Sequence, residues 1–127
     1  MDILNFVRNN FNINMKRKPD WLYNQSSVVP FIKDNDGLKI VLISSLKSKK
    51  WIVPKGVIEK PLSPQDSAAK EALEEAGVEG EVGNEPIGYF EYEKWGGICK
   101  VQVFALRVEK VLEDWAEKNY LLTKVFN

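Results

Sequence analysis

The chain predicts an α/β fold of the α+β type: a mixed β-sheet crossed once, mid-chain, by a helix, in layers around a shared core. Three observations carry this reading. Short apolar and β-branched runs recur on both sides of the middle of the chain, separated by turn residues. One segment between them has both a helix start signal and a helix stop signal. At 127 residues the chain is near the common size of a single domain and can bury a substantial core.

The elements follow in order. Ile3, Phe6, Val7 and Phe11 fall at helical spacing among several asparagines, and Lys16-Arg17-Lys18-Pro19 breaks the pattern. Residues 1–20 are therefore expected as an N-terminal extension with a helix, and residues 21–127 as the domain proper. Strands are expected at 25–32, 38–44 and 51–53, with Asp34-Asn35-Asp36-Gly37 as the hairpin turn between the first two. The helix begins at Ser63, a good N-cap, with Pro64 at its first position and Asp66 in the capping-box place. Gly77 supplies a left-handed stop and Val78 the apolar contact that follows one. Later strands are expected at 81–82, 87–93 and 98–108, the last two joined by a turn at Gly96-Gly97, and finally at 120–126.

Composition excludes several classes of function. The 18 Lys and Arg balance 18 Asp and Glu, so no global field draws the protein to nucleic acid or a membrane. No histidine is present, which removes histidine acid–base and metal chemistry and leaves carboxylates and lysines. The single cysteine, Cys99, excludes an internal disulfide and fits a reducing, cytoplasmic compartment. No window approaches a membrane span, and the N-terminus lacks the basic and apolar run of a signal peptide.

The helix carries the chemistry. At roughly 100° per residue, Glu71, Glu74 and Glu75 fall within an arc of about 100°, with Ala69, Ala72, Leu73 and Ala76 opposite. Like charges at these spacings cost a few tenths of a kcal/mol per pair, about what an exposed helix tolerates, and only Lys70 is near enough to offset them. A hard cation with oxygen ligands would turn that cost into binding, and Mg²⁺ is the usual choice beside phosphates, with Mn²⁺ as a substitute. The alternative is a solvated acidic face, common among Glu-rich helices.

The stretch from Gly56 to Val78 resembles the Nudix box, G-x5-E-x7-R-E-U-x-E-E-x-G-U, where U is apolar. Gly56, Glu71, Glu74, Glu75, Gly77 and Val78 match at the right spacing, and Ala72 stands in for a bulkier apolar residue. Leu62 replaces the first glutamate and Lys70 the arginine, two positions that in the family help hold loop and helix in register. Gln25-Ser26-Ser27-Val28-Val29-Pro30, Trp51-Ile52-Val53-Pro54-Lys55-Gly56 and Val111-Leu112-Glu113-Asp114-Trp115 extend the similarity. They resemble the branch that hydrolyses diphosphoinositol polyphosphates and diadenosine polyphosphates, in its bacterial form.

The resemblance implies a Nudix α/β/α sandwich and metal-dependent attack of water on a diphosphate bond. Glu74 and Glu75 are then the metal ligands, joined by the Gly56 carbonyl and Glu71; Glu71, Glu74 and Glu75 form the catalytic set. The general base is either Glu71 or a distal acid: Glu113, Asp114 or Glu117, with Glu91 and Glu93 ranked behind them. Most members continue into a second long helix over the far face of the sheet. This sequence stops at Asn127 without one: the N-terminal helix is expected over that face, the alternatives being a partner subunit, as in a homodimer, or a shortened sequence.

Lys47, Lys49, Lys50, Lys55 and Lys60 crowd a segment whose one acid is Glu59. Lys55 is the best candidate for direct phosphate contact; Lys47, Lys50 and Lys60 are further substrate-binding candidates, against the plain reading of solubilising surface lysines. Trp51, Tyr89, Tyr92, Trp95 and Trp115 are candidates to stack a base, though aromatics at strand positions are more often core, Trp51 above all. Residues 118–124 carry little charge where the inositol-phosphate branch that the chain resembles usually has an arginine-rich stretch just before its last strand, and arginine's fork suits phosphates better than lysine. That favours a dinucleoside polyphosphate or a nucleoside diphosphate derivative. Competing readings are a degenerate Nudix domain that binds a nucleotide or a partner without turnover, and a purely structural interaction domain.

Overall fold

Valine- and isoleucine-rich runs form the strands of a seven-stranded mixed sheet in the computed structural model, which describes residues 18–47 and 50–127. A 3-10 turn at Asp20–Tyr23 leads into β1 (Asn24–Asp34), and a tight hairpin into β2 (Gly37–Ser45). The hairpin closes as its residues predict. The Asp34 carboxylate accepts the Asp36 N–H at 2.8 Å and the Lys39 ammonium at 3.1 Å, while Gly37 adopts φ +113, which only glycine takes freely. Then come β3 (Lys55–Val57), helix α1 (Pro64–Glu71) continued by a π-helical turn at Ala72–Ala76, and β4 (Val78–Val82). The chain ends in β5 (Gly88–Lys94), β6 (Gly97–Val111) and β7 (Leu121–Phe126).

β1 and β6 run parallel at the centre, from Asn24 opposite Lys100 to Phe31 opposite Arg107. Each has an outer edge shared by two shorter antiparallel partners. Along β1, β3 takes the first residues (Ser26 opposite Gly56) and β2 the last (Phe31 opposite Ile40), with β7 beyond β2. Along β6, β5 pairs first (Tyr92 opposite Cys99) and β4 afterwards (Val82 opposite Leu106). Splitting the edge of β1 lets β3 and α1 meet, and the site forms there.

The expected strand at 51–53 is corrected. Ile52 makes only an isolated bridge to Ile43, and the paired strand is Lys55–Val57. The register explains the shift: the Pro54 carbonyl accepts the Val28 N–H at 3.2 Å, but proline has no N–H to return, so the paired residues begin at Lys55. β4 begins at Val78 and β6 runs to Val111, both beyond their expected limits, while β7 starts one residue late. The second hairpin turns at Trp95 (φ 53) and Gly96 (φ 70), two left-handed residues of a primed turn, rather than at Gly96-Gly97.

Helix α1 starts and stops where its signals lie. Ser63 Oγ accepts the Asp66 N–H at 3.0 Å, and Gly77 takes φ +68 at the end. Its buried face differs from the expected one. Ala68, Ala72 and Ala76 pack on Val28, Val41, Ile43, Phe104 and Leu106, whereas Ala69 and Leu73 are half-buried. Alanines every fourth residue let the backbone approach the sheet closely, and the π turn displaces residues after Ala72 from ordinary helical spacing. Glu71, which precedes the π turn, is buried on Gly56 beside the alanines rather than exposed opposite them.

Among the described residues one helix layer covers one face of the sheet. The helix expected in residues 1–15 lies outside the described residues. No described helix is long and apolar enough to cross a membrane, and Cys99 is a buried free thiol.

Candidate active site

The turn into β3 and the end of α1 are joined through two glutamates. Glu75 accepts the backbone N–H of Lys55 at 3.0 Å. Glu71 lies directly on Gly56, so closely that a Cβ at residue 56 would sit 2.3 Å from its Cδ. The two carboxyls also hydrogen-bond to each other, which requires a proton between them. Burial raises the Glu71 pKa to about 7; the hydrogen bond with Glu75 works against this, and the charge of Glu74 adds to it. Burial and then the charge of Glu71 raise Glu75 to about 8, with the Lys55 N–H opposing.

Glu74 turns away from this pair. Its carboxylate lies 3.6 Å from the ammonium of Lys70, which is 2.5 Å from the Glu59 carboxylate on the loop after β3. Those two contacts raise the Lys70 pKa, the hydrogen bond with Glu59 most. The expected cluster of three acids thus divides into a buried pair and a third acid held by a lysine. Among the described residues no three acidic or cysteine side chains converge closely enough to hold a metal as they stand. In kind, the donors fit a hard divalent cation: all are carboxylate oxygens, Glu71 lies on Gly56, Glu75 is held by the adjoining Lys55 N–H, and Glu74 stands on the same π turn as Glu75.

Among the described lysines, Lys55 alone is tied to the pair, through its backbone. It is half-buried, its ammonium lies 5.0 Å over the Tyr92 ring, and burial lowers its pKa while Glu75 works the other way. Lys47 and Lys50 are exposed in the segment after β2, and Lys60 is exposed in the loop after β3. Lys60 lines a cleft of about 960 Å³ with Trp21, Glu59 and Gln102. Lys49 lies outside the described residues.

A polar network beside Lys55 was not foreseen from the sequence. The Tyr92 hydroxyl donates to Gln25 Oε1 at 2.7 Å, and the Gln25 amide donates to Cys99 Sγ at 3.6 Å. Burial pushes the Tyr92 pKa up to about 12. The signal lay in strand pairing, because Gln25 and Tyr92 flank neighbouring positions of β6. No local pattern reveals that pairing.

The distal acids separate clearly. After β6 the chain folds back on the helix end: the Leu112 N–H donates to the Gly77 carbonyl at 2.8 Å and the Glu117 N–H to the Glu74 carbonyl at 2.9 Å. The Trp115 ring lies on Gly77, where a Cβ would fall 2.4 Å from it. Glu117 is half-buried, with its pKa raised by burial and then by Glu74, and its own charge is felt at Glu71 and Glu75. Glu113 and Asp114 are exposed in the same loop, and Glu91 and Glu93 are exposed on β5. Trp51 is half-buried and packs edge-on against the half-buried Phe126 with centroids 5.3 Å apart, at the margin of the core, whereas Tyr89 is 73% exposed.

The chain is similar in sequence and fold to known proteins. Nudix hydrolase 12, mitochondrial, of Arabidopsis thaliana is 37% identical over 90 residues, covering 64% of this chain and 44% of the relative. Diphosphoinositol polyphosphate phosphohydrolase 3-alpha of Mus musculus is 31% identical over 99 residues, covering 78% of this chain and 59% of the relative. The chain thus spans about half the length of the curated relatives it matches. Among solved structures, a NUDIX-family hydrolase from Clostridium perfringens superposes with a TM-score of 0.65 at 19% identity, covering 81% of both chains. The C. elegans Ap4A hydrolase gives 0.60 at 16% identity, covering 79% of this chain and 77% of that one. At such identities the superpositions speak for the fold alone. The NUDIX domain model matches residues 23–118, from the entry to the central strand through to the loop that carries Glu117, and the chain belongs to that family.

Proposed function

We propose that the protein hydrolyses a diphosphate linkage in a dinucleoside polyphosphate or a nucleoside diphosphate derivative, with a divalent cation, Mg²⁺ or Mn²⁺. The observation that carries this reading is the Glu71–Glu75 pair, with Glu71 buried on Gly56 and repelled by Glu74, and both acids repelled by Glu117. A purely structural fold gains nothing from four acids so arranged, and a cation would relieve their repulsion. Glu71, Glu74 and Glu75 would hold it together with the Gly56 carbonyl. When bound, the cation supplies charge neutralisation at the phosphate oxygens and polarisation of the phosphorus.

The chain's own groups do the rest. Lys55 offers a half-buried ammonium beside the pair for a phosphate oxygen, where partial burial strengthens the contact. Glu117 is favoured as the acid that takes the proton of the attacking water at its carboxylate, because its raised pKa brings it nearer to neutral working pH. It also stands outside the three acids that would hold the cation. The substrate preference is supported by the scarcity of forked donors: Arg107, the arginine among the described residues, is engaged with Glu81 at 2.7 Å. A cytoplasmic setting belongs to the same reading, supported by the free thiol of Cys99.

The test is turnover on a panel of dinucleoside polyphosphates, nucleoside diphosphate derivatives and diphosphoinositol polyphosphates with Mg²⁺ or Mn²⁺. Glu75→Gln should lower kcat by at least about 10²-fold, as loss of a group central to charge stabilisation does. Glu117→Gln should keep cation binding and lose turnover. A second reading, a binding module without catalysis, is favoured by the separation of Glu74 from the other two acids. Ligand retention without product, unaffected by Glu75→Gln, would establish that reading and remove the first.

A further inference from the structure

Lys70 stands between two acids, and their claims on it differ. Glu59 is fastened through its backbone: its N–H donates to Oγ of the buried Ser67 at 3.0 Å, and its carbonyl accepts the Leu62 N–H at 2.7 Å. The loop therefore presents the Glu59 carboxylate to the helix at a fixed height, 2.5 Å from the Lys70 ammonium. Glu74 reaches the same ammonium from one turn along the helix, at 3.6 Å. With lysine N-terminal to glutamate, that spacing is in the weaker of its two orientations. An ammonium already engaged by Glu59 holds Glu74 less firmly.

We infer that Glu59 is a positioning residue: by occupying Lys70, it leaves the Glu74 carboxylate free to turn toward Glu71 and Glu75 when a divalent cation binds. The inference rests on the cation-dependent reading above. It gives a role to the one acid of the lysine-rich segment, three residues before Leu62. Without Glu59, Lys70 has only Glu74 as a partner among these contacts and competes with the cation for it.

The experiment is a calorimetric titration of the full chain with Mn²⁺ alone, on wild type, Glu59→Gln, Lys70→Gln and the double variant, with thermal unfolding confirming that each is folded. Glu59→Gln should weaken Mn²⁺ binding about two- to fivefold, the range of an exposed ion pair. In the Lys70→Gln background the same substitution should weaken binding markedly less, because only the direct charge of Glu59 felt at Glu71 remains to be lost. Glu59→Asp keeps the charge but shortens the reach to Lys70, and should weaken binding in the same direction as Glu59→Gln. Equal weakening in both backgrounds would make Glu59 a nearby charge and no more, and would overturn the inference. So would an unchanged affinity in Glu59→Gln. Failure of the wild type itself to bind Mn²⁺ would overturn the cation reading and this inference together, whereas binding indifferent to residue 59 removes the inference alone.

Discussion

Replacing Gly56 with alanine isolates one contact of the site. The added Cβ would lie 2.3 Å from both Cδ and Oε1 of Glu71, and 2.8 Å from Oε2. Non-bonded heavy atoms of this kind settle at about 3.5–4.0 Å, so the carboxyl would have to retreat by roughly 1 Å. Gly56 is not among the glycines at positive φ, so alanine strains no backbone and the clash falls on Glu71 alone. Glu71 cannot swing freely into water, because it is buried on α1 and hydrogen-bonded to Glu75. Overpacking of this sort costs about 1–3 kcal/mol of stability. A displacement of about 1 Å at a reacting site costs roughly 10²-fold in rate. Urea unfolding should therefore show Gly56→Ala destabilised within that range, and kcat/KM on the best diphosphate of the panel should fall by about two orders of magnitude. Gly56→Ala/Glu71→Ala removes the clashing carboxyl, so it should regain stability over the single variant without regaining turnover. Wild-type stability and rate in Gly56→Ala, or a double variant no more stable than the single one, would refute the reasoning from this contact.

Two further outcomes follow from the same geometry. Gly77→Ala meets both a φ of +68 and the Trp115 ring at 2.4 Å, so it should cost about 2–5 kcal/mol in denaturant unfolding, with only the conformational part surviving in a Trp115→Ala background. The cation-free protein should lose stability as pH rises through about 7 to 8, because Glu71 and Glu75 hold protons in the folded state well above their ordinary value of 4.5. The sign follows from proton counting: between those pH values the folded chain binds more protons than the unfolded one, so stability is full below about 4.5 and declines toward pH 8. Thermal scans across that range should show the decline, and Glu75→Gln should flatten it; an unchanged slope in Glu75→Gln would place the titration elsewhere.

Features set by a few neighbouring residues were legible in the sequence. Ser63, Pro64 and Gly77 bound the helix through local hydrogen bonds and one special dihedral, and Asp34 to Gly37 make a turn wherever they occur. Features set by distant pairing were not. Trp51, Ile52 and Val53 have strand composition, yet the edge of β1 is taken by Lys55–Val57, and only the three-dimensional register decides that. The helical wheel gathers Glu71, Glu74 and Glu75 on one side, but the wheel knows neither the π turn nor Gly56. The absence of a side chain at residue 56 is what lets a carboxyl settle between helix and sheet. The lysine that separates Glu74 from the pair was visible one turn away; its second partner, Glu59, depended on how the loop after β3 folds back.

The parallel pairing of β1 with β6 has a consequence for how the molecule is made. Residues 24–31 and 100–107 form the middle of the sheet, and β2, β3, α1, β4 and β5 are encoded between them. Closing so long a loop is entropically slow, and its reward comes only when both strands are present. On the ribosome, β1 must wait for β6 to emerge, and until then the platform beneath α1 is half built. The carboxyl pair is therefore assembled near the end of folding, and a nascent chain carries the acidic helix for most of its synthesis without the cradle that gives it chemistry.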